Sequence, residues 1–136
     1  MASHYAELKV WQKSVAFVTQ IYICTASFPK EEIYGLTSQI RRAAVSIPSN
    51  IAEGASRESS KDFLRFISIS NGSLAELQTQ LIIARNLGFI NNEKLSAIRD
   101  TGEEIGRMLN GLQKTLQQKI TSLPLTTYHL PLEQAL

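Results

Sequence analysis

The chain has 136 residues, 43% hydrophobic and 19% charged, with a formal net charge of +2. That is one domain's worth of sequence, with enough apolar material for a real core and the balance of a soluble globular protein. A charge of +2 is too small to mark a nucleic-acid binder by itself, and a single cysteine, Cys24, excludes an internal disulfide framework.

The amino-terminal stretch MASHYAELKVWQ lacks a basic segment followed by an apolar core, so no signal peptide is expected. No apolar run approaches the roughly 20 residues that span a bilayer. The expected location is cytoplasmic. The modest supply of charge leaves less polar surface to cover the molecule, which favours an oligomer.

From Trp11 two apolar rows run at helical spacing. One is Trp11, Val15, Val18, Tyr22 and Thr25; the other is Val10, Phe17, Ile21, Cys24 and Phe28. Two adjacent rows make a stripe wide enough to face more than one neighbour. The helix must end before Pro29, because the residue preceding a proline is pushed out of the helical region.

A second helical pattern runs from near Gly35 to Gly54, with Leu36, Ile40, Ala44, Ile47 and Ile51 on one face. Pro48 sits inside it, yet the apolar phase continues undisturbed. Two independent helices would have no reason to keep that phase, so one helix kinked at Pro48 is expected. Proline there removes the bond to the Ala44 carbonyl, at about 3 kcal/mol in a plain helix interior. Ser46, Ser49 and Asn50 are placed to satisfy freed backbone groups, and Gly54 supplies a plausible stop.

Ser59 followed by Asp62 reads as a helix start. Phe63, Ile67, Ser70, Leu74, Leu77, Leu81 and Ala84 then hold one face until Gly88. Asn91 or Asn92 is the next cap candidate. The last helix carries Leu95, Ile98, Gly102, Ile105, Leu109, Leu112 and Leu116 inward, and Arg99, Glu103 and Arg107 outward at four-residue steps. Beyond it, Pro124 and Pro131 forbid a continuing helix in a segment that is apolar rather than charged. The fold expected is all-α, an antiparallel up-down-up-down four-helix bundle over 1–119 with an apolar tail at 120–136.

The chemistry of an enzyme is not expected. Metal sites in bundles need Glu-x-x-His pairs, and His4 and His129 lie in the terminal segments without such partners. Cys24 falls on an apolar row, as buried cysteines do. No metal and no cofactor is expected.

The basic residues invite two readings. Arg41, Arg42, Arg57, Lys61 and Arg65 could contact a phosphate backbone. Yet Glu53, Glu58 and Asp62 are interleaved with them, and one of the paired arginines must point to the apolar flank of its helix. An arginine there more often joins an ion pair between helices or subunits, so Arg41 and Arg42 with Glu53 or Glu76 form the candidate subunit interface. Glycines inside helices, Gly72, Gly102, Gly106 and Gly111, read as places of close approach within the monomer or between subunits.

Three segments carry a resemblance: LKVWQKS at 8–14, FPKEEIYGLTSQIRRAAVSIPSNIAEGASR at 28–57 and GSLAELQTQLIIARNLG at 72–88. Together they resemble the four-helix-bundle family encoded in intervening sequences of large-subunit ribosomal RNA genes, also labelled ribosomal-protein-like. The resemblance covers residues 5–119. It implies an antiparallel four-helix bundle assembling into a homopentamer with a central channel. It also implies kinship with the accessory proteins of diversity-generating retroelements, which bind nucleic acid and a reverse transcriptase. Those relatives are strongly basic, whereas this chain is nearly neutral, and Gln78 stands where the family pattern has a glutamate. The function expected is a non-enzymatic, homopentameric adaptor or scaffold, with RNA, DNA or a ribonucleoprotein as candidate partner. The alternative is a module that binds only protein.

Overall fold

The computed structural model describes residues 5–122. Four helices follow in order: α1 (Lys9–Thr25), α2 (Leu36–Ala55), α3 (Ser60–Asn86) and α4 (Asn92–Thr121), with short 3-10 turns at Tyr5–Glu7 and Lys30–Glu32. No strand occurs among the described residues. Each helix packs on its neighbour in sequence, most extensively α2 on α3, and α1 also packs on α4. The fold is all-α, with four helices packed as in a bundle. The terminal segment with Pro124 and Pro131 lies outside the described residues, although Ile120 and Thr121 belong to α4.

The helical rows read from the sequence become the core. Phe17, Ile21, Ile40, Ile47, Ile51, Ile67, Leu77, Leu81, Ile105 and Leu109 are all buried to within 2% of complete. Each such side chain contributes about 1.5–3 kcal/mol relative to exposure. The two rows of α1 are not equivalent. Val10, Phe17 and Ile21 are buried, but Val15 and Tyr22 keep 39% and 42% of their surface. The Trp11 row is divided: Thr25 is buried and Trp11 and Val18 pack against the core, while Val15 and Tyr22 face outward.

Helix α2 passes through Pro48 without ending, and Ile40, Ala44, Ile47 and Ile51 are completely buried along it. The polar support differs from the expectation. Asn50 Nδ2 donates to the Ser46 carbonyl at 2.8 Å and to Ser46 Oγ at 2.9 Å. The Ala44 carbonyl, which Pro48 leaves without its usual donor, receives no side-chain bond among the described residues, and Ser49 is exposed. The bonds that matter come from α3: Ser70 Oγ donates to the Ile47 carbonyl at 2.9 Å, and Ser46 and Ser73 share a hydroxyl contact at 2.8 Å.

The helix ends follow ordinary chemistry, with one correction. Ser59 Oγ accepts from the Asp62 amide at 3.0 Å and Asn91 Oδ1 from the Lys94 amide at 2.8 Å, each satisfying an amide that the first turn leaves free. Gly88, at φ 81°, ends α3; its amide bonds to the Arg85 carbonyl and the Phe89 amide to that of Ala84. This pairing needs a left-handed residue, which glycine adopts without a Cβ penalty. The same turn delivers Phe89 to Phe28, ring centroids 5.7 Å apart. Gly54, by contrast, is not the stop of α2, which continues to Ala55. It is a contact point: a Cβ there would lie 2.7 Å from Phe66 Cβ and 2.8 Å from Phe63 Cδ1.

Among the described residues two polar atoms stay buried without a partner, Thr37 Oγ1 on α2 and Gln80 Oε1 on α3. The ladder of Arg99, Glu103 and Arg107 does not close into ion pairs; α4 instead pairs through Glu104, 3.0 Å from Lys13 of α1. Gly102 and Gly106 lie against α3, where added Cβ atoms would meet Gln78 Nε2 at 3.2 Å and Leu74 Cδ2 at 3.4 Å. Gly72 and Gly111 have nothing within 4 Å.

Gly54→Ala is expected to destabilise by ~1–3 kcal/mol, because the backbone of Phe63 and the Cβ of Phe66 cannot simply swing aside. Gly72→Ala, in open space on a helix, is expected to stabilise by ~0.5–1 kcal/mol. Urea unfolding midpoints at constant slope check both.

Candidate nucleic-acid and subunit interfaces

The five basic residues singled out from the sequence fall into two groups, separated along α2. Arg41 and Arg42 lie near its start. Arg57, Lys61 and Arg65 surround the α2–α3 turn, more than 12 residues and so about 18 Å of helix further on.

At the turn, aromatic and acidic partners hold two of the three cations. Arg57 Nη2 pairs with Glu53 Oε2 at 2.7 Å, and its guanidinium lies 5.0 Å from the centroid of Phe66. Arg65 lies over the same ring at 4.5 Å. A positive charge over the negative face of a ring is stabilised by about 0.5–1 kcal/mol at exposed sites. Phe66 is buried and bridges both guanidinium groups, which gathers them beside exposed Lys61. Glu53 is thereby tied within the chain. Glu58 and Asp62 are exposed beside the same cluster, so carboxylates balance its cations.

The pair Arg41-Arg42 splits between the two flanks of α2. Arg41 turns to α1. Its Nε donates to Thr25 Oγ1 at 2.9 Å and its Nη2 to the Tyr22 carbonyl at 3.3 Å, while the guanidinium sits 4.5 Å from the centroid of the Tyr22 ring. The buried Thr25 hydroxyl passes the chain of bonds on to the Ile21 carbonyl at 2.8 Å. A cation over the last turn of α1 also meets the negative end of that helix's dipole. Arg42 turns to α3 and shares a groove with Gln39, Ala43, Ser46 and Glu76. Neither arginine forms an ion pair among the described residues, where the pairs are Lys13–Glu104 and Arg57–Glu53.

Sequence reasoning missed Thr25 and Tyr22 as the partners of Arg41, since nothing local connects residues 16 and 19 positions apart. It also missed an amide ladder between α3 and α4. Asn71 Nδ2 donates to Asn110 Oδ1 at 3.2 Å and Gln113 Oε1 at 3.1 Å, and Gln113 Nε2 to Ser68 Oγ at 3.1 Å. The one available signal was a polar residue, Asn71, next to buried Ser70.

Among the described residues no three of His, Cys, Asp and Glu gather as a metal site would require. His4 and His129 lie outside the described residues. Burial pushes the Cys24 thiol pKa up, and the charge of Lys94 offsets part of that.

The family described as 23S rRNA-intervening sequence protein matches residues 6–111. The chain belongs to this family. In this intervening-sequence protein the matched span takes in α1, α2, α3 and the greater part of α4, and with them the arginines, lysines and carboxylates of the candidate interfaces. No curated protein matches the sequence. No described helix is long and apolar enough to cross a membrane.

Arg41→Ala is expected to cost about 1–3 kcal/mol, the range for charge-assisted hydrogen bonds, whereas exposed Arg42→Ala stays within about 0.5 kcal/mol of the parent. Thermal and urea unfolding of the two single variants separates them. Thiolate formation at Cys24 sets in at higher pH than for an unburied thiol, so alkylation at mildly alkaline pH lags a free-cysteine peptide. Unfolding in urea removes the lag.

Proposed function

We propose that this intervening-sequence protein is a non-enzymatic adaptor or scaffold. It assembles as a homo-oligomer, a pentamer on the family pattern, and works in the cytoplasm with RNA or a ribonucleoprotein as its partner. The observation that carries the oligomeric part is surface chemistry: Val15, Tyr22, Val45, Ile69 and Ile83 each keep 39–44% of their surface on the outside of a chain short of charge. Apolar patches of that kind on a soluble protein belong to interaction sites.

Within each copy the helices alternate in direction. Gly54 approaches Phe63 and Phe66, Ile47 meets Ser70, and Ser46 meets Ser73, so α2 numbers fall as α3 numbers rise. The same holds for Ser68 with Gln113 and Asn71 with Asn110 on α3 and α4. A kink at Pro48 completes this reading, since the Ala44 carbonyl has lost its amide donor.

The RNA branch rests on the family's relation to ribosomal RNA and on Arg57, Lys61 and Arg65 at one end of the bundle. A second reading, protein-only binding, is favoured by how fully the cations are committed: Arg57 to Glu53, Arg41 to α1.

Light scattering is expected to give a mass of several times 15.1 kDa. Binding to structured RNA is expected to weaken with salt. The Arg57→Ala/Lys61→Ala/Arg65→Ala triple variant is expected to flatten that dependence by ~0.7–0.9 log units per log unit of salt for each phosphate that it no longer neutralises. No RNA retardation at low salt sinks the RNA branch and leaves the protein-only reading.

A further inference from the structure

The outward side chains of the Trp11 row of α1 form one side of an apolar patch. Trp11 and Val18 are half-buried, Val15 and Tyr22 are exposed, and all four share one face of the helix. On α2, Val45 keeps 40% of its surface one turn from Arg41, on the flank that Arg41 turns toward α1. The guanidinium of Arg41 therefore borders this patch at the last turn of α1, beside Tyr22. Its Nε, its Nη2 and its face are held by a hydroxyl, a carbonyl and a ring, none of them anionic. Its Nη1 has no hydrogen-bond partner among the described residues.

An exposed ion pair is ordinarily weak, partly because two long side chains must be ordered to make it. Here the arginine is ordered in advance, which reduces that cost on binding. A fixed cation rimmed by apolar side chains fits a carboxylate that is itself flanked by apolar side chains. A phosphate backbone would satisfy the charge but leave Val15, Tyr22 and Val45 uncovered.

The chain itself carries such a carboxylate. On α3, Glu76 stands midway between Ile69 and Ile83, seven residues from each, so the three share one face over about 21 Å. Ile69 and Ile83 are 41% and 44% exposed. Glu76 is exposed too, and although it shares a groove with Arg42 it makes no ion pair among the described residues.

We propose that a second copy of the chain lays its α3 face, Ile69–Glu76–Ile83, onto the α1/α2 patch, with Glu76 of one copy meeting Arg41 of the next. The flanking apolar side chains seal the ion pair from water, as the rim of an interface seals its centre. The two patches are different surfaces of one chain, so the contact is head-to-tail and repeats until the rotation closes a ring. This rests on the homo-oligomeric reading above and adds to it the two faces and the ion pair that joins them.

Sedimentation and light scattering of charge variants test it. Glu76→Arg is expected to reduce the oligomer to the 15.1 kDa monomer with helicity unchanged, because Glu76 has no ion-pair partner among the described residues of its own chain. Adding Arg41→Glu to that variant is expected to restore the oligomer. Since Arg41→Glu also loosens α2 from α1, Val15→Asp and Ile83→Asp break either face independently, and each is expected to give monomer. A parent protein that is itself monomeric at micromolar concentration overturns the oligomeric reading and this contact with it. A parent oligomer whose size survives Glu76→Arg, Val15→Asp and Ile83→Asp overturns the contact alone. Loss of RNA binding in these variants with the oligomer intact assigns the faces to RNA and also overturns it.

Discussion

Ser70 is completely buried, and its hydroxyl donates 2.9 Å to the carbonyl of Ile47, the residue before Pro48. Together with the Ser46–Ser73 hydroxyl contact and the approach of Gly54 to Phe63 and Phe66, it locks α2 against α3 at three levels. A purely apolar helix pair can slide by a turn at modest cost, since hydrophobic burial is not directional. Buried hydroxyls cannot, because a shifted register leaves them unsatisfied at about 1–3 kcal/mol each. The placement of every other surface follows from this register: the Arg42–Glu76 groove, the α2–α3 turn with its Arg57–Phe66–Arg65 cluster, and the flank of α2 that meets α1.

Much of this was legible in residue order. Ser59 and Asn91 announce their helices by chemistry that acts over three residues, and Gly88 ends α3 for a reason confined to its own φ. The apolar rows named most of the core, because burial repeats with the helix, but Val15 and Tyr22 of α1 stand outside it. Gly54 misleads for the complementary reason. A glycine near a helix end looks the same whether it frees a backbone angle or clears space for a phenylalanine on another helix, and only the second is true here. The site was less legible than the fold. That Arg41 and Arg42 would part to opposite flanks follows from the 100° between successive helical residues. That one of them would settle on Thr25 and Tyr22 depends on where α1 lies, which no local pattern encodes.

The net charge of the chain conceals its arrangement. Cations and acids nearly cancel in number, yet α1 and α2 between Lys9 and Ala52 contain no carboxylate, while α3 and α4 hold Asp62, Glu76, Glu93, Asp100, Glu103 and Glu104. All the α-helical carboxylates but Glu53 of α2 lie on α3 and α4. The same two helices also carry Lys61, Arg65, Arg85, Lys94, Arg99, Arg107, Lys114 and Lys119, so acids and bases are interleaved there rather than separated.

Thr37 and Gln80 point to a different kind of history. Each holds an oxygen away from water with no partner among the described residues, although neighbouring serines on the same two helices are hydrogen-bonded. Replacing an unsatisfied buried polar group with an apolar one of similar shape is often neutral or better. The chain therefore carries slack at these positions. Natural variants have room there to gain stability without touching either exposed face, and a lineage under heat or mutational load can draw on it first.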